Sequence, residues 1–255
     1  MKKVIKSENI KELEAFYNSN PTTTWEEFKN LELKIYKKVV EQIKKDQGGL
    51  CCYCEIDFKD HKGIRDDFRV EHFHPKSDKS ENWNLKWSNL LGCCLGGSDK
   101  YVLQEKRFIK EKSHRHSDIL KDDNIWDDEI LNPLDIPAFP LIWKVDSDGV
   151  MKVDQENCDL VNIDIQKAKN CLDEKKLNLN SPYLVKWRKS VIDNLRDELK
   201  NLLISVADIG EAMKMLANIH LSKSTNDEYS KFFTTIRSYL GQDAEQYLQS
   251  IEYDG

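Results

Sequence analysis

The chain has 255 residues, 39% of them apolar and 33% charged, with a net charge of −6. That length can bury a core without disulfide staples, and no apolar run approaches the roughly 20 residues of a membrane span. The opening Met-Lys-Lys-Val-Ile-Lys-Ser lacks the apolar region of a signal peptide, so the expected setting is soluble and cytoplasmic, with no membrane partner. A negative balance does not advertise a nucleic-acid binder, but a whole-chain sum can hide a local basic face. Residues 100–121 hold seven Lys/Arg against three Asp/Glu, and residues 122–135 hold six acids and no base.

The first 50 residues read as helical, with a short helix over residues 7–18. Thr24-Trp25-Glu26-Glu27 is a capping box, in which a side-chain oxygen and a Glu three residues on satisfy the first free amides. Phe28, Leu31, Ile35, Val39 and Ile43 then recur at helical spacing, which predicts one helix up to Gln47-Gly48-Gly49. Arg69-Val70-Glu71-His72 predicts a strand, stopped by Pro75. A polar, turn-rich stretch over residues 77–84 is expected to lead into the helix of the site. Gly96-Gly97 opens a loop, followed by the basic insertion. Asn132-Pro133-Leu134-Asp135, Pro137 and Pro140 break any helix there. Residues 139–145 and 150–153 read as a β-hairpin around Gly149. From about Asn162 the chain is helical again. Leu184, Trp187, Val191, Leu195, Leu199 and Leu202 mark one apolar face, and Tyr229, Phe232, Phe233, Ile236 and Leu240 another. Such spacing most simply means core packing.

Seven cysteines is an odd number, and five crowd into Cys51-Cys52-Tyr53-Cys54 and Cys93-Cys94. In a reducing compartment that favours a metal over disulfides. Cys158 and Cys171 read as ordinary buried thiols. A Cys-x-x-Cys alone is modest evidence for zinc, and an acid beside a histidine is commonplace. The joint order is more specific: Cys51-x-x-Cys54, then Glu71-His72-x-x-Pro75-Lys76, then Asn89-Leu90 and Cys94. Neighbours on a strand point to opposite faces, so a local kink or bulge must bring Glu71 and His72 together.

This arrangement resembles the HNH nucleases, and within them the PtuB-like proteins of Septu and retron-associated anti-phage systems. The carrying phrases are Gln47-Gly48-Gly49-Leu50-Cys51-Cys52-Tyr53-Cys54-Glu55, Glu71-His72-Phe73-His74-Pro75-Lys76-Ser77 and Trp87-Ser88-Asn89-Leu90-Leu91-Gly92-Cys93-Cys94, with Asn132-Pro133-Leu134-Asp135 and Leu177-Asn178-Leu179-Asn180 further on. The resemblance implies an α+β fold. A ββα-metal nuclease core over residues 51–135 would carry the basic insertion, between a helical segment (1–50) and a hairpin plus helical region (136–255). It implies Glu71 and Asp118 as ligands of a catalytic Mg²⁺ or Mn²⁺. His72 would be the general base, Asn89 the residue fixing its loop, and Lys76 and Lys121 substrate contacts. Cys51, Cys54, Cys94 and His116 would hold a structural Zn²⁺.

One departure bears on the zinc. After Cys94 the chain reads Leu95-Gly96-Gly97, and where relatives resume with His-Cys-Asp-x-x-Lys this chain has His116-Ser117-Asp118-Ile119-Leu120-Lys121. Serine is not a usual zinc ligand. Either His114 or His116 completes a Cys₃His site, or the cysteines merely pack. The implied function is a metal-dependent endonuclease, DNA favoured, working with a PtuA-like ATPase. Retron components such as a reverse transcriptase are left open as partners. The alternatives are an RNA (tRNA) nuclease of the same type and a zinc-stabilised interaction module with a decayed centre.

Overall fold

A computed structural model describes residues 1–58, 67–98, 111–206 and 208–255. The N-terminal third forms α1 (Lys11–Ser19), α2 (Trp25–Leu31) and α3 (Leu33–Asp46). The capping box is present at α2, where the Thr24 hydroxyl accepts from Glu27 N and the Glu27 carboxylate accepts from Thr24 N. The single helix expected after it is two. Glu32 leaves helical geometry at φ −122°, ψ 50°, and the break swings Leu31 out to 70% exposure. The stripe is therefore rephased. Phe28 enters the core from α2, Val39 and Ile43 from α3, and together with Trp25, Leu85, Trp87 and Leu90 they form one apolar cluster.

The glycines after α3 take positive φ and turn the chain into a knuckle at Cys51–Cys54, closed by a bridge between Leu50 and Asp57. Strand β1 (Arg69–His72) pairs antiparallel with β2 (Leu90–Cys93), Glu71 opposite Leu91 and His72 opposite Leu90. The stretch after Asn84 is thus not the helix of the site but a short 3₁₀ turn and a strand. The helix comes later, as α4 (Asp118–Lys121). Gln47, just past α3, reads β2 directly: its Nε2 donates to Gly92 O (2.9 Å) and its Oε1 accepts from Gly92 N (2.6 Å). A Cβ on Gly92 would stand 2.7 Å from the Phe68 ring and 3.0 Å from Ile43 Cγ2 of α3, so glycine is what lets both pack this close.

Beyond α4 the chain makes the hairpin β3 (Trp143–Val145) and β4 (Met151–Val153). Six helices follow: α5 (Gln155–Leu160), α6 (Ile165–Leu172), α7 (Pro182–Ser205), α8 (Ile209–Leu221), α9 (Phe233–Leu240) and α10 (Gln242–Ser250). The largest core cluster joins Cys51–Cys54, Leu91, Cys93 and Cys94 to Trp143, Met151, Leu177, Leu184 and Phe232. A buried carboxylate helps fix the knuckle to the C-terminal helices. Glu55 accepts from Thr234 N (2.8 Å) in the first turn of α9, and its Oε1 lies 3.2 Å from the Met1 ammonium. Such a group is tolerated inside because an ammonium, a helix-start amide and the Thr234 hydroxyl all serve its oxygens. Among the described residues, no helix is long and apolar enough to cross a membrane.

Candidate metal centre and active site

The two cysteine clusters converge, although about 40 residues separate them. Ligand atoms of Cys54, Cys94 and His116 all lie within 4.8 Å of one another, as do those of Cys51, Cys93 and Cys94. Cys54 Sγ is 3.5 Å from Cys94 Sγ, and Cys51 Sγ is 3.6 Å from Cys93 Sγ. Sulfurs sharing one tetrahedral zinc stand about 4 Å apart. Burial pushes the Cys54 and Cys94 thiols well above their ordinary range. At Cys51 burial acts the same way but is outweighed by hydrogen bonds from the neighbouring thiols, which bring it well below that range. Cysteine sulfurs and an imidazole are the donors that zinc takes, so the set fits zinc.

Of the two candidate histidines, His116 enters the cluster, whereas His114 faces Glu111 at 3.6 Å. Local structure puts His116 there. Its backbone N–H donates to Gly96 O (3.1 Å), and a Cβ on Gly96 would meet His116 O at 2.4 Å. Ser117 N donates to Leu177 O, and Asn178 Nδ2 donates to Arg115 O, both at 2.8 Å, so the Leu-Asn phrase grips the segment on either side of His116. The Ser117 hydroxyl stands 3.0 Å from His116 Nδ1, and the ring lies parallel to Tyr183. Serine here orients a ligand-type histidine from behind, as partners behind a ligating ring do.

Glu71, His72 and Asp118 line one cavity of about 180 Å³, together with Arg69, Pro75, Lys76, Asp122 and Asp123. His72 is the last residue of β1, where the chain leaves the sheet, and that allows two consecutive side chains to face one cavity. Glu71 Oε1 accepts from Tyr53 Oη (3.1 Å) and lies 3.3 Å from Lys121 Nζ. Burial, then the charge of Asp118, pushes the Glu71 carboxyl up to about 7, opposed by Lys121 and Tyr53. Glu71 and Asp118 are thus two buried carboxylates of one cavity, with Asp122 and Asp123 also in its lining. Carboxylate oxygens are the donors that a divalent ion such as Mg²⁺ takes, while the close metal-type groups among the described residues are the two thiol clusters. The Asp118 carboxyl is raised by burial, against the Arg69 guanidinium paired with it. Its Oδ1 also accepts from Cys93 Sγ (3.1 Å), which ties this cavity to the thiol cluster.

The two histidines of the strand differ sharply. His72 Nε2 is 3.0 Å from Asn84 O, a carbonyl that can only accept, so Nε2 carries the hydrogen and Nδ1 the lone pair. Burial lowers the His72 pKa to about 4, so the ring is a neutral acceptor at physiological pH. The edge of Trp25 packs on it at 5.1 Å. His74, by contrast, has both ring nitrogens engaged by carboxylates, Nδ1 with Asp127 (2.8 Å) and Nε2 with Asp78 (3.0 Å). Asn89 clamps the loop between them. Its Oδ1 accepts from His74 N (2.7 Å), and its Nδ2 donates to His74 O (2.9 Å) and Trp83 O (3.0 Å). Asn89→Ala removes three hydrogen bonds and strands a buried N–H, which costs about 2–4 kcal/mol. Urea unfolding is expected to show that loss.

Lys121, expected to contact substrate, is fully buried, with its amine 3.3 Å from Glu71 Oε1 and donating to His72 O (3.2 Å), and so supports the acid from within. Lys121 is the last residue of α4, and its ammonium reaches the carbonyl at the end of β1. Lys76 remains at the cavity edge, partly exposed. Of the basic stretch expected to line the approach, residues 99–110 lie outside the described residues. Sequence reasoning missed Arg69, Tyr53, Asn84 and Cys93. Only Cys93 carried a signal, as the immediate neighbour of a singled-out cysteine.

Among known proteins, one from Escherichia coli named "Retron Ec83 putative HNH endonuclease" is 30% identical over 257 aligned positions, covering 95% of this chain and 95% of that protein. No family model matches the chain.

Proposed function

The chain belongs to the HNH endonuclease family of the retron Ec83 protein, and from that premise we propose that it hydrolyses DNA phosphodiester bonds as the effector of an anti-phage system. The observation that carries this reading is the shared cavity of Glu71, His72 and Asp118, with His72 held neutral and its tautomer set by Asn84 O. In this reading His72 Nδ1 takes a proton from the attacking water. Glu71 and Asp118 hold Mg²⁺ or Mn²⁺, which when bound polarises the phosphate and stabilises the leaving oxygen. Tyr53 and Lys121 orient Glu71, Asn89 fixes the loop, and Lys76 meets a backbone phosphate at the cavity edge. Cys51, Cys54, Cys94 and His116 hold a structural Zn²⁺, with Cys93 left to serve Asp118.

Partners follow from the family rather than from the geometry. The relative's name places it in a retron, and the PtuB-like phrases imply an ATPase beside the nuclease. A chain of net charge −6 has little long-range attraction for a polyanion, which favours a partner that grips substrate. The test is to incubate purified protein and Mg²⁺ with supercoiled plasmid and, in parallel, with total tRNA, with and without an added PtuA-like ATPase. Nicking of plasmid supports the reading, and cleavage of tRNA alone moves the substrate to RNA. Cleavage of neither, with the ATPase present, leaves a zinc-stabilised interaction module.

A further inference from the structure

Resting on the metal reading above, a second function can be assigned to the ion pair at the start of β1. Arg69 opens β1 opposite Cys93, and its guanidinium Nη2 pairs with Asp118 Oδ1, the same oxygen that receives the Cys93 thiol. Asp118 Oδ1 thus has two partners within its own protein. The hold is incomplete on the arginine side, since Arg69 Nε is buried with no hydrogen-bond partner among the described residues. The side chain keeps 27% exposure and lines the cavity with Glu71, His72 and Lys76. It is therefore both part of the carboxylate cage and within reach of whatever enters. A divalent ion shared by Glu71 and Asp118 would face this guanidinium at close range, with the Lys121 ammonium already on Glu71. Like charges so placed oppose each other strongly in a poorly solvated site.

We propose that Arg69 is an exchangeable internal counter-ion: it occupies Asp118 until a divalent metal takes that oxygen, and its released guanidinium then binds a phosphate of the nucleic acid entering the cavity. Guanidinium suits both partners, because its planar fork matches carboxylate and phosphate alike. The exchange makes metal and substrate binding mutually reinforcing. A phosphate that engages Arg69 frees Asp118 for metal, and by linkage the metal tightens substrate by the same factor. Lys121 cannot play this part, because it is fully buried behind Glu71.

The test is Mn²⁺ binding to the zinc-loaded protein, read by electron paramagnetic resonance of free Mn²⁺ and independent of cleavage. Arg69→Met, which keeps the length and removes the charge, is expected to tighten Mn²⁺ at least tenfold. Arg69→Lys, which keeps the charge, is expected to stay within about threefold of the wild type. Should Arg69→Met not fold, the same prediction is readable without it. In a His72→Ala background, which holds DNA without cutting it, a saturating short duplex is expected to tighten Mn²⁺ about tenfold. Unchanged or weaker Mn²⁺ binding in Arg69→Met, or no effect of duplex, overturns the proposal. Glu71→Ala separates the two levels. If it abolishes Mn²⁺ binding while Arg69→Met has no effect, only the exchange is wrong. If Mn²⁺ binds Glu71→Ala as before, the metal reading falls and the exchange with it.

Discussion

Cys94→Ser is expected to leave the chain unable to retain zinc and unable to fold stably. The Cys94 sulfur belongs to both close-packed ligand groups, with Cys54 and His116 on one side and Cys51 and Cys93 on the other. Structural zinc in small sites contributes roughly 10–16 kcal/mol of apparent binding free energy, and whole domains are stable by only about 5–15 kcal/mol. Loss of the central ligand is therefore enough to unfold the nuclease. The control is Cys171→Ser, a buried thiol that donates to Lys167 O (3.3 Å) and lies in no close thiol–histidine group among the described residues. That substitution is expected to cost about 1–2 kcal/mol. Elemental analysis and thermal melts of the two variants decide the matter. Equal melts and no zinc in the wild type would mean that the cysteines only pack.

The second large effect falls on rate. His72→Ala is expected to lower cleavage by about 10²–10⁴-fold, the usual contribution of a general base, with fold and Mn²⁺ affinity preserved. His74→Ala is expected to be milder and to act mainly through stability, because His74 bridges Asp78 and Asp127 under the Trp83 ring, 4.0 Å away. One cleavage assay on both variants, with melts alongside, separates the roles. A dead His74→Ala beside an active His72→Ala would reverse the assignment of the base.

Much of the local order was legible because it rests on short-range chemistry. The capping box at Thr24, the glycine stop after Gln47 and the hairpin around Gly149 each depend on a few adjacent residues. The convergence of Cys51, Cys54 and Cys94 was readable from spacing and type. What escaped depends on tertiary closure. The helical period runs unbroken from Phe28 through Leu31 to Ile35, so nothing local announces the break at Glu32. A buried lysine looks like a surface lysine until its amine is seen on Glu71 and on His72 O. Arg69 meets Asp118, 49 residues away, only because the β1–β2 pair and the Cys94–His116 cluster draw their segments together. Ser117 reads as a lost ligand in the sequence, and the fold gives its hydroxyl to His116.

The central claim is that Glu71 and His72 form one metal-dependent hydrolytic site, and it is tested most directly by cleavage of fluorescently quenched DNA and RNA oligonucleotides during a Mn²⁺ titration. The protein is assayed alone and with a PtuA-like ATPase added, as wild type and as Glu71→Ala. The account predicts saturable Mn²⁺-dependent cleavage by the wild type, abolished by chelator. In Glu71→Ala it predicts cleavage at least about 10²-fold slower that is not restored by excess metal. Cleavage at the wild-type rate in Glu71→Ala, or in the presence of chelator, would contradict it.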